Sequence, residues 1–209
     1  KLDNGDVKCW GRNQYGQLGI GSSTNTGDSS GEMASLTGIN LGTGRTATAI
    51  AVGGYHSCAK LDNGDVKCWG YNAQGQLGID STVTIGDSSG EIASLTGINL
   101  GTGRTATAIT AGGFHTCAVL DNASVKCWGY NAQGQLGIES TTTIGDGSGE
   151  MASLSAVNLG TGRTATAIAA GGYHTCAILD NASVKCWGNN AQGQLGIDST
   201  VNTGDSSGE

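Results

Sequence analysis

One stretch recurs along this chain at a fixed interval, and that recurrence confines the fold to repeat architectures. GGYHSCAKLDNGDVKCWGYNAQGQLG runs from Gly53 to Gly78, returns with few changes from Gly112 to Gly137 and from Gly171 to Gly196, and opens the chain in truncated form at Lys1. The second cysteine of each copy (Cys9, Cys68, Cys127, Cys186) marks a period of 59 residues without insertion or loss. A period of a few tens of residues signals a solenoid, propeller or array, in which each unit buries its apolar face only against its neighbours. The copies divide one repeat domain, residues 1–209, into a partial repeat 1–52, full repeats 53–111 and 112–170, and a partial repeat 171–209.

Within one repeat the residues read as β-structure throughout. Tyr55 to Leu61 is β-compatible, Asp62-Asn63-Gly64 is a strong turn signal, and Val66 to Trp69 resumes an extended pattern, so the segment predicts a hairpin. Further on, Ile92 to Leu100 holds a short apolar stretch and Thr105 to Ile109 alternates as a strand with one small face. Thirty-eight glycines, no proline and a charged fraction of 13% suit many tight turns and argue against long amphipathic helices. A net charge of −7, with ten scattered basic residues, supplies no footprint for a phosphate backbone, so nucleic acid is not an expected partner. No apolar run approaches the roughly 18 residues of a membrane span.

The cysteines set the register of the hairpin. Strands folded about Asn63 place Cys58 directly opposite Cys68, at a Cα separation of about 4.5 to 5.5 Å that a disulfide tolerates. The same arithmetic pairs Cys117 with Cys127 and Cys176 with Cys186 and leaves Cys9 unpaired, its partner position falling before Lys1. His56, His115 and His174 each precede a cysteine by two residues, so zinc ligation and a Cys-His nucleophile are the competing readings. The spacing matches no familiar zinc module, and a catalytic pair would not recur in every copy. Disulfides, with the histidines as hydrogen-bonding residues of the sheets, are therefore the expectation. The tryptophans Trp10, Trp69, Trp128 and Trp187, one per repeat, read as packing anchors.

GGYHTCA followed by VKCWG and then GQLG resembles the repeat of the RCC1 family, named for the regulator of chromosome condensation, and the likeness covers nearly the whole chain. The resemblance implies an all-β fold: a β-propeller segment of four-stranded antiparallel blades, about three and a half repeats of 59 residues, belonging to a larger, usually seven-bladed ring or a repeat array. The cysteine pairs and the Gly-Asp-Ser-Ser-Gly-Glu insert are more similar to a secreted or surface-exposed branch of such repeats. Family activities depend on features outside the shared repeat, so the fold alone transfers none of them.

Two further features bear on ligands. Asp80, Asp87 and Glu91, with Glu139, Asp146 and Glu150, combine carboxylates with serine hydroxyls and glycine backbone, the hard oxygen donors that Ca²⁺ takes, although no EF-hand spacing is present. Arg45, Arg104 and Arg163 are alternative partners for these acids. Asn122-Ala-Ser124 and Asn181-Ala-Ser183 are N-glycosylation sequons at the hairpin turn. The expected protein is an extracellular or cell-surface scaffold, not an enzyme, that binds a protein partner or self-assembles through its repeats. A calcium- or carbohydrate-binding module using the acidic loops is the alternative. The cysteine arithmetic further predicts neighbouring repeats beyond this stretch.

Overall fold

In the computed structural model, which describes residues 1–209, each complete hairpin copy builds a three-stranded antiparallel sheet. The first holds β1 (Ala47–Val52), β2 (His56–Leu61) and β3 (Val66–Gly70); the second β4 (Ala106–Ala111), β5 (His115–Leu120) and β6 (Val125–Gly129); the third β7 (Ala165–Ala170), β8 (His174–Leu179) and β9 (Val184–Gly188). Strand order in each sheet follows the sequence. The hairpin folds about Asn63 as the register requires: Leu61 N donates to Asp65 O at 2.8 Å, and Gly64 takes φ 83° to close the three-residue loop. A bulge interrupts the first pair of every sheet. Thr48 and Thr107 sit there, their hydroxyls donating to the carbonyls of Lys60 and Val119 across the strand.

Two expectations change here. The blades have three strands, not four. After β3 the chain returns for a single antiparallel bridge, Gly70 to Ile85, repeated as Gly129 to Ile144 and Gly188 to Thr203. The fourth strand cannot extend because Asn72 Nδ2 takes the carbonyls of Ser81 and Val83 at 2.6 and 3.0 Å, and Gly86 turns the chain at φ 102° just past the bridge. The repeat is also not β throughout. One-turn helices α1 (Glu32–Ser35), α2 (Glu91–Ser94) and α3 (Glu150–Ser153) follow the acidic loop. Each starts from a left-handed glycine, Gly31, Gly90 or Gly149, and Ile92 and Met151 are buried beneath the second and third.

The core lies between repeats. One cluster joins Cys58, Val66 and Cys68 to Leu120, Trp128 and Met151 of the following repeat. The next joins Cys117, Val125 and Cys127 to Leu179 and Trp187. A third packs Val7 and Leu41 against Leu61, Trp69 and Ile92. Because every apolar cluster spans a joint, no repeat possesses a core of its own, which is the energetic basis of a repeat array.

Candidate functional site

The joints explain the most repetitive residues. His56 Nε2 lies 2.7 Å from Thr116 Oγ1 of the next repeat, and that hydroxyl donates to the Gln76 carbonyl at 2.8 Å. A hydroxyl has one hydrogen, so the imidazole must be the donor and His56 carries its proton on Nε2. Trp128 Nε1 donates to the same Gln76 carbonyl at 3.1 Å. The set recurs as His115, Thr175, Trp187 and the Gln135 carbonyl, with distances of 2.9, 3.0 and 3.0 Å. Glycine is required beneath each ring: a Cβ on Gly112 would stand 2.2 Å from His115 Cε1. The second glycine of the pair makes the closest backbone joint, Gly54 N donating to Gly112 O and Gly113 N to Gly172 O, both at 3.0 Å.

Each predicted cysteine pair is directly opposed and joined: Cys58 to Cys68, Cys117 to Cys127 and Cys176 to Cys186, with Cα separations of 4.1, 4.1 and 4.0 Å. Backbone hydrogen bonds at Tyr55/Tyr71 and Leu61/Asp65 put Cys58/Cys68 in the alternate, non-hydrogen-bonded set, where Cα atoms approach most closely. Cys9 is free and half-buried, and burial pushes its thiol pKa up. Desolvation lowers His56 to about 4; His115 falls to about 3 through desolvation, helped by His56 and His174. The Nδ1 atoms of both rings are buried without a partner.

The six carboxylates proposed for calcium do not assemble: nowhere do three or more His, Cys, Asp or Glu groups converge as a cation site. Glu91 Oε2 accepts the N–H groups of Gly86 and Ser88 at 2.7 and 3.0 Å, and Glu150 Oε2 those of Gly145 and Gly147, both at 2.8 Å. Burial alone would raise Glu150, but these N–H donors outweigh it and hold its pKa below the ordinary carboxylate value. Asp146 moves the other way, through burial and the neighbouring Glu150 charge. Asp80 reaches into the following repeat, accepting from Gly149 N and Met151 N at 3.1 and 2.9 Å and so capping α3. Asp87 is exposed, and Glu139 adopts φ 56° at the position of Asp80. The arginines choose other acids: Arg45–Asp62, Arg104–Asp121 and Arg163–Asp180, each 3.3 Å, link the glycine turn before the first strand to the hairpin of the same sheet. Asn122 and Asn181 are exposed at the hairpin tips, where their side chains accept from Ser124 and Ser183 Oγ, each at 2.7 Å.

A surface that the residue reading passed over lies where the Gly-Gly turns meet the ends of the third strands. Tyr55 stacks on Phe114 with ring centroids 5.1 Å apart and planes at 21°, and Phe114 lies 6.1 Å from Tyr173. Tyr71 and Tyr130 stand edge-on to this row, 6.1 Å from Phe114 and 6.2 Å from Tyr173. Between the rings is an open hollow of about 420 Å³ that the carboxamides of Gln74, Gln133 and Asn189 also line. The available signal was an aromatic residue recurring after Gly-Gly and again after Trp-Gly.

Comparison with known proteins matches this pattern. A family profile described as the regulator of chromosome condensation (RCC1) repeat matches residues 47–76, 106–135 and 165–194, and a second of the same description matches 4–59, together more than half of the chain. The chain belongs to the RCC1 repeat family. Its relatives include the human probable E3 ubiquitin-protein ligases HERC6, 29% identical over 196 residues, and HERC4, 31% identical over 198. Each alignment covers 94% of this chain but 18% and 17% of those proteins, so the chain spans less than a fifth of their length. Among solved structures, human WBSCR16 aligns with a TM-score of 0.72 at 20% identity, over 98% of this chain and 48% of that one. Yeast RCC1 (Prp20), solved bound to Kap60, aligns with a TM-score of 0.68 at 18% identity, over 96% and 44%. At these identities the likeness to solved structures is one of fold.

The residues that carry the RCC1 resemblance are those of the joint. The Gly-Gly pair, the histidine, the tryptophan and the Gln-Leu-Gly loop each touch the adjacent repeat, and a Cβ on Gly78 would stand 2.6 Å from Trp128 Nε1. The RCC1 signature of this chain is thus a packing signature, and the residues free to bind lie elsewhere: on the acidic loops, the hairpin tips and the aromatic row.

Proposed function

We propose that this chain is a non-catalytic scaffold for protein interaction in an oxidising, extracellular setting, presenting one acidic loop at every repeat. RCC1-like repeats generally mediate protein–protein interaction. The observation that carries the reading is the recurrence of a stiffened acidic loop: Asp28 and Asp87 are exposed, and Asp205 half-buried, in Gly-Asp-Ser-Ser-Gly-Glu segments, and Asp146 is half-buried in a Gly-Asp-Gly-Ser-Gly-Glu variant. In each, the closing glutamate clamps the preceding N–H groups. Near-identical loops at a fixed interval suit a partner with several basic contacts, because the second contact forms at the effective concentration set by the first. Three disulfides support an oxidising compartment. The histidine-cysteine pairs are occupied by architecture, with Nε2 of His56 and of His115 bonded across a joint and the sulfurs of all three pairs joined to each other. Ligase activity named for relatives many times longer is not carried over. Calcium or carbohydrate binding at the acidic loops is the weaker reading, because Glu91, Glu150 and Asp80 already accept backbone N–H groups.

The test is crosslinking from carboxylates to lysines in protein from its native source, followed by peptide mapping. Crosslinks from Asp87 and Asp146 to another protein are expected, with Asp87→Asn weakening that association several-fold and Asp87→Asn/Asp146→Asn weakening it multiplicatively. Association indifferent to both substitutions, or crosslinks only at the hairpin tips, would sink the proposal.

A further inference from the structure

The aromatic row has a chemistry unlike the rest of the surface. The chain carries a net charge of −7, yet no charged group lines the hollow; its walls are four aromatic rings, of Tyr71, Phe114, Tyr130 and Tyr173, and three carboxamides. Tyr173 is 44% exposed and the other three rings are partly exposed, so ring faces and edges are available to a ligand. The amides are oriented in advance. Gln194 Nε2 donates to Asn189 Oδ1, Asn189 Nδ2 donates to Gln133 Oε1 at 2.8 Å, and Asn202 Nδ2 donates to the same oxygen at 3.3 Å. With its oxygen engaged twice, Gln133 has only its Nε2 donors left to offer a ligand, while the side chain of Gln74 retains both a donor and an acceptor.

This is the complement of a neutral, polyhydroxylated molecule. Carboxamides and phenols both donate and accept, as a hydroxyl does. The electron-rich faces of the rings attract the C–H faces of a pyranose. A charged ligand would find no counter-charge, and a proline-rich segment, which offers carbonyl acceptors but few N–H groups, would leave the Gln74 oxygen and the acceptor sites of the three phenols unused. We propose that the hollow between Phe114, Tyr130 and Tyr173 binds a neutral oligosaccharide, one sugar face lying on the rings while its hydroxyls bond Gln74 and Gln133. No acidic-loop side chain lines the hollow, so the scaffold reading and this one stand or fall independently.

The experiment is calorimetric titration of the 209-residue chain, disulfides intact, with cellohexaose, xylohexaose, mannohexaose and laminarihexaose, at about 50 and about 500 mM NaCl. Saturable binding of at least one hexasaccharide is expected, unchanged by salt. Tyr173→Ala and Gln133→Ala should each weaken it by about tenfold or more at an unchanged melting temperature, and Tyr173→Phe, which keeps the ring face, should retain it. Failure of all four sugars to bind overturns the proposal, as does binding that neither alanine substitution weakens. A proline-rich decapeptide binding where no sugar does would reassign the hollow to a peptide and overturn it equally.

Discussion

His115 shows how one residue links burial, tautomer and pH. Its ring is buried, Nε2 donates to Thr175, and Nδ1 has no partner, so a second proton would be a buried charge without an acceptor. His56 is placed the same way. Both folded-state pKa values, about 4 and about 3, lie below the ordinary 6.5. The unfolded chain therefore takes up protons as pH falls through 6.5, while the folded chain resists until about 4 or lower. Stability from these groups is complete above pH 6.5 and is lost on acidification, by up to about 1.4 kcal/mol per pH unit for each histidine. Urea midpoints measured from pH 7.5 to 4.5 should fall accordingly, and His56→Gln/His115→Gln should start lower but show a flatter profile. An equally steep profile in the double variant would mean that carboxylates alone set the acid limb.

At the scale of the element, the hairpins are not equally relaxed. The third turn position is Gly64 at φ 83° in one repeat, but Ala123 at φ 60° and Ala182 at φ 65° in the next two. A residue with a Cβ in the left-handed region costs roughly 1–2 kcal/mol, whereas glycine costs about 0.5–1 kcal/mol in unfolded-chain entropy. Ala123→Gly and Ala182→Gly should thus each raise stability by about 0.5 kcal/mol or slightly more, and Gly64→Ala should lower it by more than that, since its Cβ would stand 2.7 Å from Thr105 Cβ. Chemical denaturation of the three variants decides it, and a loss of stability in both glycine variants would refute the strain argument.

At the scale of the whole molecule, stability is shared among joints, and two of the three disulfides lie inside one: Cys58–Cys68 and Cys117–Cys127 belong to clusters shared with the following sheet, whereas within these 209 residues no later sheet packs on Cys176–Cys186. Cys58, Cys68, Cys117 and Cys127 are fully buried, while Cys176 and Cys186 are half-buried. Each bond closes a loop with a sequence separation of 10, worth about 2–3 kcal/mol on the chain-entropy account. Under mild reductant, timed alkylation should label Cys176 and Cys186 first and the other four together with the loss of sheet signal. Simultaneous labelling of all six would show that the repeats open as one unit and not from one end.

The repeat, the hairpin and the cysteine register were legible in the residues because they are local. A strand pair closed by a three-residue turn about Asn63 brings Cys58 opposite Cys68 by geometry alone, whatever surrounds it. The number of strands was not legible, because it turns on one side chain that leaves no periodic signal: the bridge at Ile85 stops after one rung where Asn72 captures the carbonyls of Ser81 and Val83. Nor were the partners of the acids, since Asp80 finds its N–H donors 69 and 71 residues on and Arg104 finds Asp121 instead of the acidic loop. The aromatic hollow arises only when three Gly-Gly turns are stacked through their backbone joints. Period and register follow from chain geometry over a few residues; ligand chemistry followed from which side chains the packing of whole repeats brought face to face.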